Sequence, residues 1–253
     1  MRLQGAHAVV TGGGTGIGAA IARELAREGA KLTLVGRRRE QLEQVAGGDK
    51  AILVAPADVT EREEVDQAFA LAREAHGPIT ILVNNAGTAE SISFAKLDRE
   101  IWRRIMEVNL DALLHCCQAA LPDLLAAPAG RIITIASTAG LKGYAYSAPY
   151  VAAKHGAVGL MRALAVEFAR TSMTANAVCP GFTDTELVAS AVEKIRSKTG
   201  RSEQEARAEI AGFNPQGRLV TPEEVAGAVL WLCLPESASM NGQAIAIAGG
   251  EVT

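Results

Sequence analysis

The sequence predicts an α/β fold, a single-domain Rossmann-type doubly wound parallel sheet of about seven strands with helices on both faces. Short runs that are apolar throughout recur along the chain, and between them lie longer segments with helical periodicity. Alternating apolar and polar residues would suit a sheet wetted on one face; unbroken apolar runs suit strands covered on both. A glycine-rich turn, Thr11-Gly12-Gly13-Gly14-Thr15-Gly16-Ile17-Gly18, joins the first strand to the first helix.

In chain order, residues 7–11 and 31–35 read as the first two strands. The segment 16–28 between them is a helix with Ile17, Ile21 and Leu25 on one stripe, closed by Gly29. Further strands fall at 51–55, 79–83, 131–136, 174–178 and 244–248. Helices are expected over 61–76, 98–126, 149–170, 186–212 and 222–233. Asp98 stands as an N-cap, and Thr221-Pro222-Glu223-Glu224 combines a cap, a first-turn proline and a capping glutamate. No repeat, low-complexity tract or linker interrupts residues 1–253, so one domain is expected. Within it, 184–213 carries closely mixed charges, among them Arg196, Lys198, Arg201 and Arg207. It reads equally as a solvated helical pair or as a substrate-side lid.

A formal charge of -3 gives no electrostatic footprint for nucleic acid or an anionic membrane. No apolar stretch is long enough to suggest a membrane span. Cys116, Cys117, Cys179 and Cys233 lack metal or redox spacing, no secretory leader precedes Ala8-Val9-Val10, and a cytoplasmic setting follows. His7, His76, His115 and His155 show no ligand spacing, so no metal is expected.

Glycines allow a sharp turn and close backbone approach to a pyrophosphate, which then sits on the amides of the following helix. The second strand ends in Gly36-Arg37-Arg38, where a dinucleotide fold that prefers NAD would carry an acidic residue. Arg37 instead suits the 2′-phosphate of NADP, with NAD the second choice. Further on, Ser137 ends the apolar run 132–136, and Tyr150 and Lys154 stand four residues apart, on one face of a helix. Alone, such a pair is most simply a ring packed on a lysine stem. With Ser137 beside it, it becomes a candidate acid or base, the ammonium drawing the phenol pKa down from its usual value.

Taken together, Thr11-Gly12, Gly16 and Gly18, then Asn84-Asn85-Ala86-Gly87, Ser137, and Tyr150 with Lys154 resemble the short-chain dehydrogenase/reductase family over essentially the full chain. The resemblance implies a catalytic set of Asn109, Ser137, Tyr150 and Lys154. It implies a cofactor site formed by Thr11, Gly12, Gly14, Thr15, Gly16, Ile17, Gly18 and Arg37. Asp58 and Val59 would touch the adenine; Asn85, Ala86 and Gly87 would close the cleft; Pro180, Gly181 and Thr183 would lie near the nicotinamide, and Tyr150 and Lys154 would also contact the cofactor, the lysine at its ribose. For Cys179 a small core residue is the simpler reading. Leu141, Tyr144 and Tyr146, between Ser137 and Tyr150, would wall the substrate pocket.

The wording around Ser137, Tyr150 and Pro180 is similar to reductases of 3-oxoacyl thioesters and polyketides and to 3-hydroxybutyrate dehydrogenases. A 3-oxoacyl/3-hydroxyacyl thioester is therefore the expected small-molecule substrate, acyl-CoA being a candidate. A dehydrogenase of a free hydroxy acid, alcohol or sugar is the alternative, and a non-catalytic nucleotide sensor a remote one. Relatives pair the helices matching 98–126 and 149–170 into dimers and often tetramers. A homo-oligomer is expected, with small residues such as Ala157, Ala163 and Ala165 permitting close approach.

Overall fold

The computed structural model describes residues 1–252, and its centre is a fully parallel seven-stranded sheet. The strands are β1 (His7–Thr11), β2 (Lys31–Gly36), β3 (Ile52–Pro56), β4 (Ile81–Asn84), β5 (Arg131–Ile135), β6 (Thr174–Pro180) and β7 (Ala244–Ile247). Their order is β3-β2-β1-β4-β5-β6-β7, so the chain reverses direction across the sheet between β1 and β4. In a doubly wound sheet that switch point opens a crevice at the strands' carboxyl ends.

Helices α1 (Gly16–Arg27), α2 (Arg39–Ala46), α3 (Arg62–His76), α4 (Arg99–Met106), α5 (Ala112–Ala126), α6 (Ala148–Glu167), α7 (Glu186–Thr199), α8 (Glu203–Ala211) and α9 (Pro222–Cys233) complete the fold. On one face, Ile21 and Leu25 of α1 pack with Val225 and Val229 of α9 over Val10, Leu34 and Ile133. On the other, Phe69 of α3, Leu124 of α5 and Met161 of α6 cover Val9, Leu82 and Ile132. Each large side chain so buried contributes roughly 1.5–3 kcal/mol. No helix among the described residues is long and apolar enough to cross a membrane.

The expected caps form. Asp98 accepts from the Ile101 amide at 2.8 Å, and Thr221 and Glu224 make a reciprocal box. Helix α2 was not expected from the sequence; it is short, and only Leu42 and Ala46 are buried. The helix expected over 98–126 is three pieces, since a π-helical turn, Glu107–Asp111, separates α4 from α5. The segment 186–212 is likewise two helices. Gly200 ends α7 in the left-handed region, and Ser202 caps α8 with Glu205. This pair has its own small core of Val188, Val192, Ala206, Ile210 and Leu219. Arg196, Arg201 and Arg207 are paired with Glu193, Glu209 and Asp184, in keeping with the closely mixed charges of this segment. Ala157 and Ala165 are buried inside the subunit, so intramolecular packing accounts for them; Ala163 is exposed.

Candidate active site

Because every strand is parallel, Thr11, Gly36, Pro56, Asn84, Ile135 and Pro180 all end on one edge of the sheet, and the candidate residues gather there. The glycine turn is latched to the end of β4. Thr11 Oγ1 accepts from the Asn85 and Ala86 amides at 3.0 and 3.1 Å, while Asn85 Nδ2 donates to the Thr11 and Gly12 carbonyls. Gly12 has φ +63°, and a Cβ there would meet Asn85 Nδ2 at 2.8 Å. At Gly18 a Cβ would stand 2.1 Å from the Gly12 carbonyl, so only hydrogen lets α1 approach the turn. Thr15 makes no side-chain cap, and the first turn of α1 carries no acidic residue. Its amides therefore keep their capacity for an anion, which fits a dinucleotide pyrophosphate.

Around this cradle, Gly14 backs onto Gln41 and Leu42, and Ile17 packs against the α1/α9 core. Gly16, φ +50°, lies against Thr185 at the start of α7. Arg37 is largely exposed, 3.8 Å from Asp58; Arg38 is 3.8 Å from Glu186 and is a second cation at this strand end. The Asp58 carboxylate accepts from the amide and hydroxyl of Thr60. Val59 turns its side chain into the core, so only its backbone faces outward contacts, its carbonyl lying 3.2 Å from His115 Nδ1.

Beyond β5, Ser137 opens a short 3₁₀ turn, and its Oγ accepts from the Ala139 amide at 3.0 Å. Tyr150 stands in the first turn of α6 and Lys154 one turn later. Lys154 is buried; its Nζ donates to the Ile135 carbonyl at 2.9 Å and lies 5.6 Å from the Tyr150 ring centre. Burial pulls the lysine down to about 8. For Tyr150, burial of the hydroxyl raises the pKa, with Ser137 pulling the other way. The sequence-based expectation of a lowered phenol pKa is thus reversed, because desolvation of the buried phenolate is the larger effect and Ser137 offsets only part of it.

Asn109 is placed by the π-turn, a geometry frequent at functional sites. Its Nδ2 donates to the Thr88 and Ile105 carbonyls, both at 2.9 Å, and its Oδ1 accepts from the Thr88 amide at 3.3 Å. A Cβ on Gly87 would lie 2.9 Å from Asn109 Oδ1 and 3.6 Å from Lys154 Nζ, so Gly87 sits between them. On the far side, the Gly181 amide donates to Ile247, and the Thr183 hydroxyl donates to the Gly181 carbonyl. Cys179 is buried and its thiol is pushed up to about 11, which leaves it inert.

Leu141 packs against the core at the end of the 3₁₀ turn. Tyr144 points inward: its hydroxyl shares a 2.6 Å hydrogen bond with Thr138 and donates to Glu251. Tyr146, with φ +61°, is 65% exposed, so of the two tyrosines Tyr144 is the one turned into the protein. Sequence reading had not singled out Thr88, Ile105, Thr138 or Glu251. No local pattern joins position 251 to 144, and only the fold brings them together.

A nucleotide cradle at the switch point and a Ser-Tyr-Lys cluster beside it define a dinucleotide-binding oxidoreductase that works between a ketone and a secondary alcohol. The chain belongs to the short chain dehydrogenase family, whose model matches residues 6–196. It is 36% identical to a D-beta-hydroxybutyrate dehydrogenase of Rhizobium meliloti, covering 96% of this chain and 97% of that one. It is 33% identical to the 3-oxoacyl-(acyl-carrier-protein) reductase MabA of Mycobacterium bovis, covering 96% and 91%. A crystal structure of an actinorhodin polyketide ketoreductase variant with NADPH superposes with a TM-score of 0.93 at 37% identity, covering 97% of each chain.

Proposed function

We propose that this chain is an NADP(H)-dependent reductase of 3-oxoacyl thioesters, interconverting them with 3-hydroxyacyl thioesters. The carrying observation is that Ser137, Tyr150 and Lys154 converge on the sheet edge that holds the glycine cradle. Arg37 and Arg38 at the end of β2 favour NADP, since a guanidinium matches a 2′-phosphate. The ketoreductase solved with NADPH supports the same choice.

A reduced nicotinamide, when bound, supplies the hydride to the carbonyl carbon. Tyr150 gives its hydroxyl proton to the carbonyl oxygen as negative charge builds there, and its raised pKa keeps that proton in place beforehand. Ser137 Oγ already accepts from Ala139, which leaves its own proton facing the Tyr150 hydroxyl and placed to bond the same oxygen in the transition state. Lys154 then returns a proton to Tyr150. Both Asn109 Nδ2 hydrogens are engaged, and the remaining Oδ1 lone pair holds a water that reloads the lysine.

The whole chain acts as one unit, with α7 and α8 as the lid over the substrate; their separate small core supports this. Exposed Leu114 on α5 and Val166 on α6 favour a homodimer or tetramer through those helices. A cytoplasmic setting suits four buried, unpaired cysteines. A dehydrogenase of a free hydroxy acid is the second reading, favoured by the Rhizobium meliloti relative.

The test is a matrix of NADPH and NADH against acetoacetyl-CoA, longer 3-oxoacyl-CoAs, free keto acids and simple ketones. Turnover of unrelated ketones alone would sink the substrate assignment. Tyr150→Phe should abolish nearly all turnover while cofactor still binds. Unaltered function in that variant would return the sensor reading.

A further inference from the structure

Against the Ser137–Tyr150 loop lies a charge that the proposed mechanism does not use. Glu251 follows β7, and its side chain is 1% exposed. Oε1 accepts from the Tyr144 hydroxyl and lies 3.1 Å from Lys142 Nζ. Oε2 is buried without a hydrogen-bond partner and faces Gly181, where a Cβ would stand 2.9 Å away. Tyr144 in turn bonds Thr138, the residue after Ser137, and its ring meets Phe182 and Phe213. The carboxylate thus bridges the serine turn and the Pro180-Gly181-Phe182 segment, which bound the space a carbonyl must occupy to reach Ser137 and Tyr150.

The two members of the Lys142–Glu251 pair differ in exposure. Lys142 is about one-third exposed, so water screens its charge, while Glu251 is enclosed. The field reaching inward is therefore negative, in a low-dielectric setting where like charges repel strongly. A second carboxylate entering beside Oε2 would find no donor there and a carboxylate whose counter-ion, Lys142, is the more exposed member of the pair.

We infer that Glu251 is a specificity-determining charge filter: the pocket accepts ketones whose acyl end is a neutral thioester or ester and rejects the same ketones as free carboxylates. This rests on the assignment of Ser137 and Tyr150 as the groups that meet the carbonyl. It separates the two substrate readings, because a hydroxy-acid dehydrogenase has to welcome the charge that Glu251 repels.

The experiment compares the neutral N-acetylcysteamine thioester of acetoacetate with acetoacetate itself, as the ratio of their kcat/KM values. Glu251→Gln keeps an acceptor for Tyr144, removes the negative charge and frees Lys142. It should lower the ratio by about tenfold or more, through a gain for acetoacetate. Lys142→Met leaves the carboxylate unopposed and should move the ratio the other way. It carries the test if Glu251→Gln does not fold. Binding of malonate to the NADP-loaded enzyme, measured by calorimetry, gives a readout free of turnover and should tighten in Glu251→Gln. Ratios and malonate affinity unchanged in both variants would overturn the filter. If the wild type reduces no thioester, the substrate assignment fails, and the malonate comparison still decides the role of Glu251.

Discussion

Replacing Asn109 with alanine removes three hydrogen bonds at one buried point. Two carbonyls, those of Thr88 and Ile105, lose donors at 2.9 Å, and the Thr88 amide loses an acceptor at 3.3 Å. Asn109 is 1% exposed, so water does not readily replace the lost partners. At about 1 kcal/mol for each bond, and more for any group left dry, the cost is about 3 kcal/mol. For a chain of this size that lowers the unfolding midpoint by about 6–12 °C. Calorimetric scans at matched rates would measure it, with urea unfolding as a second reading. Thr88→Ala is the control: Asn109 holds the backbone of residue 88, so losing that side chain should cost less than about 0.5 kcal/mol. An Asn109→Ala protein as stable as wild type, or a Thr88→Ala protein as weak as Asn109→Ala, would refute the assignment of Asn109 as the tie between the π-turn and the end of β4.

Gly18→Ala would place a methyl 2.1 Å from the Gly12 carbonyl, which forces the glycine turn off α1. The expected result is a loss of about 1–3 kcal/mol in stability and at least about tenfold in cofactor affinity by calorimetry; wild-type affinity would contradict the cradle. Reduction should weaken as pH rises through about 8, where Lys154 loses its proton while Tyr150 keeps its own. In a folded Lys154→Arg variant that alkaline limb should move upward, and a limb fixed near 8 would assign it to another group. His7 is 2% exposed, lies beside the Gly77 carbonyl and Thr33, and has its pKa lowered by burial. The native state therefore binds fewer protons than the unfolded chain below pH about 6.5, and stability is lost as pH falls, by up to about 1.4 kcal/mol per pH unit. Unfolding midpoints at several pH values should show this slope, and His7→Ala should flatten it. An equal slope in that variant would point to His76, whose pKa is also lowered by burial and whose Nε2 is buried without a partner.

The strands were legible because most are short apolar runs that fill a covered sheet, β6 with Thr174 and Asn176 being an exception, and their parallel pairing followed from the general lack of alternation. The glycine turn was legible for a similar reason, since its spacing is a steric demand that Gly18 and Gly12 meet at contact distance. Helix α2 was missed because only Leu42 and Ala46 reach the core, too few to mark a period. The break at 107–111 was invisible because Leu110, Leu113 and Leu124 keep an apolar pattern running across it, and one extra residue in a turn changes no composition. The phenol pKa went the wrong way for a different reason. Spacing shows that an ammonium is near, but only the fold shows how much water both groups have lost.

The candidate site collects where regular structure stops. Asn109 lies in a π-turn, Ser137 where β5 gives way to a 3₁₀ turn, and Gly12 in the uncapped entry to α1. Tyr146 holds a left-handed φ at the outer end of the substrate loop, with its carbonyl accepting from the Ile92 amide at 2.8 Å. Regular elements spend their amides and carbonyls on themselves, so free polar groups aimed at a ligand arise only at their ends and faults. The parallel sheet places those ends on one edge. Partners such as Asn109 with Thr88, and Tyr144 with Glu251, then fix the faults in position. Loosening either partnership, by Asn109→Ala or Glu251→Gln, should therefore alter substrate handling even though Glu251 lies outside the Ser-Tyr-Lys cluster.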